Sequence, residues 1–137
     1  MDLDRSLFGD GPYPITGPLA ILARVAFLGA LIAIVVAVFL PRELLPQFVR
    51  SHYLQHFAAF YVAGLLGLAA SPRTPVMTTA ARLTVFVTLL EASHLLAGAR
   101  LAPLIDNWIA DLGGLAAALV PIWVAHFRRR FETAEDQ

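Results

Sequence analysis

The stretch LAILARVAFLGALIAIVVAVFL, residues 19–40, decides how this chain is read. Its only charged group is Arg24. An α-helix rises about 1.5 Å per residue, so the run spans roughly 33 Å, enough to cross a hydrocarbon core about 30 Å thick. The run starts too far into the chain, and is too long, for the apolar segment of a cleaved signal peptide, about 7–15 residues. It predicts a spanning helix, and Pro41 stops it.

Three further apolar runs follow, at about residues 53–70, 76–97 and 104–127. The second is the shortest and carries His56, Gly64 and Gly67; a re-entrant segment is its alternative reading. Ser71, Pro72, Arg73, Thr74 and Pro75 make a tight connection to the third. Residues 1–18, rich in Gly and Pro, read as an irregular N-terminal arm, and residues 128–137 as a charged, solvated tail. The expected architecture is all-α: a four-helix transmembrane bundle over residues 19–127.

Composition agrees. Of 137 residues, 58% are hydrophobic and 15% charged, with a mean hydropathy of +0.71. Soluble domains carry about 25% charged residues, and a chain this small could not clothe itself in water with so few. Ten basic residues, every one Arg, balance ten acidic ones. No basic patch for nucleic acid is present, and no nucleic-acid partner is expected. The chain has no Cys, which excludes disulfides, thiolate metal sites and a Cys nucleophile.

Arginine placement gives the orientation. Four spans put both termini on one side, and Arg128, Arg129 and Arg130 directly follow the last run. With that side cytoplasmic, seven Arg lie inside and three outside: Arg42, Arg50 and Arg100. Arg24 and Arg82, near helix ends, reach the interface by snorkelling.

This topology gathers the polar membrane residues at the outer face. His52 and His56 open the second helix, Glu91 and His94 close the third, and Asp106, Asn107 and Asp111 open the fourth. Ionisable groups at membrane depth are costly, and they pair or line a cavity. His52 and His56 share a helix face, as interfacial imidazoles or as metal ligands. Glu91-x-x-His94 resembles the di-iron bundle motif, but such sites need it twice, with further Glu residues. One Zn²⁺ on His56, Glu91 and His94 is chemically feasible. Because the cluster sits at the membrane edge, where water competes, no metal, haem or other cofactor is expected. Asp106 and Asn107 read as N-caps of the fourth helix. Asp111 lies too deep for that role, on a stripe with Gly114, Ala118 and Pro121 that should face the bundle. Arg100 is its expected counter-charge, and that of Glu91, so losing Arg100 should cost stability. Stripes of small residues, Ala26-Ala30-Ala33-Ala37 and Gly64-Gly67, predict close helix packing. Tyr53, Tyr61, Trp108 and Trp123 read as interface or packing aromatics.

The ordered set of these residues resembles the VanZ-like family of small bacterial membrane proteins, named for a teicoplanin-resistance protein. His56-Phe57, then Phe60-Tyr61 and Gly64-Leu65-Leu66-Gly67, match one family helix. Glu91-Ala92-Ser93-His94, with Arg100 six residues on, matches its Glu-x-x-Gln and Arg. Asn107-Trp108-Ile109-Ala110-Asp111-Leu112-Gly113-Gly114 matches its Asp-Trp-x-Ala-(Asn or Asp)-x-x-Gly stretch. The match covers roughly residues 50–118. The chain departs from the family where His52-Tyr53 stands for Asp-Lys and His94 for Gln.

The resemblance implies a four-helix protein of the bacterial cytoplasmic (inner) membrane, and by its name a link to glycopeptide antibiotic resistance. Two functions are expected. In the first, an amphipathic or lipid-linked ligand binds at the outer polar cluster of His56, Glu91, His94, Arg100, Asp106, Asn107 and Asp111. In the second, the chain is an accessory transmembrane subunit packed against other membrane-protein subunits and membrane lipids. No nucleophile is evident, and enzyme activity is not expected.

Overall fold

The structure, a computed structural model, describes residues 17–46 and 48–135. It contains four long helices: α1 (Pro18–Phe39), α2 (His52–Ala70), α3 (Val76–Leu96) and α4 (Leu101–Glu135). A short 3₁₀ turn, Arg42–Leu44, follows α1. No strand occurs among the described residues. All four helices are long and apolar enough to cross a membrane, and the chain is a multi-pass membrane protein.

Local chemistry sets the helix ends. Gly17, at φ 111°, leads into α1, and Pro18 takes the first position, where a missing N–H costs nothing. Ser51 caps α2 by accepting the Leu54 N–H at 3.4 Å. Helix α3 ends in a Schellman turn: Ala99 N–H bonds the His94 carbonyl and Gly98 N–H the Leu95 carbonyl, both at 3.0 Å. The turn needs a left-handed residue, and Gly98 supplies it at φ 90°.

Two helix ends differ from the sequence expectation. Helix α4 begins at Leu101, before Pro103 rather than after it, because proline is tolerated in a first turn. The charged tail continues the helix: α4 runs unbroken to Glu135, exposed at residues 128–132, and residues 136–137 lie outside the described residues. No Gly or Pro interrupts residues 128–135, and Arg, Glu and Ala are strong helix formers. At 35 residues, α4 is roughly 52 Å long and outreaches a hydrocarbon core of about 30 Å. Of the N-terminal arm expected over residues 1–18, residues 1–16 lie outside the described residues.

The helices run up, down, up and down. Helix α4 packs most extensively on α2, then on α3, while α1 packs chiefly on α2. The buried core comes from α2, α3 and α4: Phe60, Ala63, Val76, Leu83, Val87, Leu90, Leu115, Ala118 and Leu119. Helix α1 lies outside it and buries only Ala20. Its contact face is Phe27, Leu31, Ile34, Val35 and Val38, not the alanine stripe; Ala33 points outward and Ala26, Ala30 and Ala37 flank the contact. Larger side chains on α1 recover more contact area where the helix lies against an already complete three-helix core.

At the end holding both described termini, Arg24 Nε donates to the carbonyl of Ala70, the last residue of α2, at 3.3 Å. The guanidinium thus neutralises the negative end of the α2 dipole. The opposite end carries the polar cluster.

Candidate functional site

Close approach of α2 and α4 builds the site. Asn107, Asp111, Gly114 and Ala118 recur at i, i+4, i+7 and i+11, on one face of α4. A Cβ on Gly114 would overlap the Phe57 carbonyl, so α2 backbone lies directly against α4 there. One register further, a Cβ on Gly64 would stand 2.9 Å from Ala118 Cβ. These contacts bring His56, next to Phe57, against Asp111, one turn from Gly114. His56 Nδ1 donates to Asp111 Oδ1 at 2.8 Å. Asp111 is fully buried, and the stripe expected to face the bundle does so at Gly114 and Ala118, while Pro121 is exposed.

Helix α3 adds a second buried carboxylate. Glu91 is 3% exposed, and its Oε2 accepts from His94 Nδ1 at 3.3 Å. The other oxygen of each acid, Glu91 Oε1 and Asp111 Oδ2, is buried and has no hydrogen-bond partner among the described residues. One ligand atom from each of His56, Glu91 and Asp111 lies within 4.8 Å of the others. The His52 ring stands edge-on to His56, centroids 4.6 Å apart.

Two expectations are corrected here. Arg100 is not the counter-charge of the acids. It precedes α4, is exposed, and makes no salt bridge among the described residues, whereas His56 and His94 pair with Asp111 and Glu91. Ten residues of helix, about 15 Å of axis, separate the start of α4 from Asp111, beyond the reach of an Arg side chain. Nor do Asp106 and Asn107 cap α4, because the helix starts at Leu101 and places them in its second turn. Asp106 instead accepts the Tyr53 hydroxyl at 3.3 Å, tying α4 to the start of α2. Trp108 Nε1 donates to Thr88 Oγ1 at 3.1 Å and ties α4 to α3.

An open-sided cavity of about 550 Å³ connects these residues. Of the seven residues expected at the site, six line it: His56, Glu91, His94, Arg100, Asn107 and Asp111. Asp106 does not. Helix α1 supplies an apolar wall of Ile34, Ala37 and Val38, and Phe48 adds to it. The sequence reading missed this wall, and also Arg42 and Gln55. Polarity marked Gln55 one residue before His56, but nothing in the sequence of α1 says which neighbour it covers. The cavity thus offers apolar surface on one side, buried carboxylates and imidazoles at depth, and Arg42 and Arg100 among its polar lining.

No protein-family model, curated protein or solved structure matches this chain.

Proposed function

We propose that the protein is a VanZ-like integral membrane protein that binds an amphipathic or lipid-linked anionic ligand in the cavity at the polar end of the bundle. The observation that carries this reading is the juxtaposition in one cavity of the α1 apolar wall with Arg100 and Asn107. An acyl or prenyl chain fits the wall, which adjoins the lipid-exposed surface of α1. A phosphate or carboxylate fits the planar donor fork of Arg100, whose guanidinium no acid of the bundle claims. Arginine counting supports an orientation with this end outside a bacterial cytoplasmic membrane and both termini inside. In that position the ligand would be a cell-envelope amphiphile, in keeping with a link to glycopeptide resistance.

Native mass spectrometry of the detergent-purified protein tests the reading, with a polyprenyl phosphate and teicoplanin as separate probes. We expect one adduct per chain with at least one of them. Binding should fall about tenfold in Arg100→Ala, the effect of losing a charged hydrogen bond of about 1.4 kcal/mol. It should also be abolished by Ala59→Trp, which fills the cavity. Retention of the adduct by both variants would place binding elsewhere.

One observation favours a second reading, an accessory subunit. Toward the C-terminal end of α4, Trp123 stacks on Phe127 and Phe127 meets Phe131 edge-on, centroids 5.6 and 5.0 Å apart, and all three remain exposed. Aromatic side chains in a row suit a partner helix. A stoichiometric partner retained through detergent extraction, and lost on Phe127→Ala with Phe131→Ala, would support it.

A further inference from the structure

We infer that His56, Glu91 and Asp111 form a binding site for one divalent transition-metal ion of the Zn²⁺ class, held between α2, α3 and α4. The sequence argues against a metal on two counts, a single Glu-x-x-His and a position at the membrane edge. The fold answers both. Asp111 supplies a second carboxylate from a different helix, and both acids are shut away from solvent, Asp111 fully and Glu91 with 3% exposure. The ligand set also differs from the one the spacing suggests. Asp111, not His94, stands with His56 and Glu91, while His94 donates to Glu91 Oε2.

Three independent features converge. The ligand atoms lie within 4.8 Å of one another. Ligands about 2.0–2.2 Å from a tetrahedral Zn²⁺ stand ~3.3–3.6 Å apart, so the three side chains close on the ion by rotating inward by up to about 1.5 Å. Each acid keeps one buried oxygen, Glu91 Oε1 and Asp111 Oδ2, with no hydrogen-bond partner among the described residues. A buried carboxylate oxygen without a donor is expensive, and a cation is the partner that satisfies two at once. Finally, two carboxylates and a neutral imidazole balance a divalent charge, which removes the repulsion between the acids.

Donor chemistry selects the ion. Imidazole with carboxylates and no thiolate suits Zn²⁺ and its neighbours, and disfavours Mg²⁺ and Ca²⁺, which take oxygen alone. Three protein ligands leave the cavity side open for water or a ligand oxygen, the arrangement of an open rather than a structural zinc site. The hydrogen bond from His94 holds Glu91 with Oε1 turned away from it, as a positioning contact. This inference does not depend on what occupies the rest of the cavity.

The test uses Zn²⁺ alone, with no amphiphile present, on the full chain after chelator treatment. Competition against a chromophoric chelator should show one Zn²⁺ per chain, with Ca²⁺ and Mg²⁺ failing to displace it. Glu91→Gln and Asp111→Asn, close to isosteric, should each weaken binding by at least about tenfold, the lower range for disturbing a metal site. His126→Ala, at the other end of α4, should leave it unchanged. X-ray absorption of the zinc-loaded wild type should show a single imidazole among oxygen ligands, so the inference is testable even if a variant fails to fold. It is overturned by no stoichiometric uptake, by unchanged affinity in both carboxylate variants, or by two or more imidazoles on the ion.

Discussion

Asp111 is a carboxylate without solvent contact, and Glu91 beside it is nearly as buried. One hydrogen bond from His56 answers one of the Asp111 oxygens. Breaking a buried pair by removing one partner strands the other and typically costs about 3–5 kcal/mol. His56→Ala should therefore destabilise the protein by that order in an SDS-titration unfolding assay. Arg100→Ala and Arg73→Ala should both fall within about 0.5 kcal/mol of wild type, because both side chains are exposed. A large loss for Arg100→Ala would restore the ion pair that sequence alone suggests. Composition and position made all of these residues visible: ionisable groups in apolar runs announce themselves. Their pairing was not visible, because the distance between His56 and Asp111 depends on how closely two helices approach.

That approach is a property of α2 and α4, and glycine sets it. Gly114 meets the Phe57 backbone, with no room for a Cβ. Gly114→Ala must push the helices apart, and overpacking of this kind typically costs about 1–3 kcal/mol. The same shift should lengthen the His56–Asp111 contact, so a double variant of Gly114→Ala with His56→Ala should lose less than the sum of the two. Gly29→Ala is the contrasting case. Nothing lies within 4 Å of the added methyl, and the change should be neutral or stabilising by up to about 1 kcal/mol. Thermal unfolding of the three variants in one detergent checks both. The glycine pairs were legible as packing signals in the sequence. The alanine stripe of α1 was equally legible and misleading, since α1 contacts the bundle through Phe27, Leu31, Ile34 and Val38. Small residues mark a possible close contact; whether it forms depends on what the facing helix offers. The helix ends follow the same pattern. Pro41 gave a reliable boundary, whereas the fourth helix, expected from about residue 104, begins at Leu101 with Pro103 inside its first turn.

On the scale of the whole molecule, four helices alternate in direction and collect their polar residues at one end. The span count was the most legible feature of the sequence, because a lipid solvent demands long apolar helices and tolerates little else. The wall that α1 adds to the cavity was the least legible, since a helix that is apolar all round carries no mark of the face it buries. Orientation in the membrane is open to direct test. The chain contains no Cys, so single cysteines introduced at Ala102 and after Gln137 report accessibility without background. Ala102→Cys should react with an impermeant reagent added outside intact cells and the C-terminal cysteine only after lysis; reaction of both from one side would overturn the topology.

The central claim is that the cavity between α1 and the polar end of α2, α3 and α4 receives an amphiphile. Photolabelling of the membrane-embedded protein with a diazirine-bearing polyprenyl phosphate, followed by peptide mapping, measures this directly. The account predicts labels concentrated on cavity residues such as Val38, Phe48, Gln55 and Arg100, and competed by unlabelled polyprenyl phosphate. Uncompeted labelling spread over outward-facing residues such as Ile21, Met77 and Val85 would show the ligand dissolved in bulk lipid, and would contradict it.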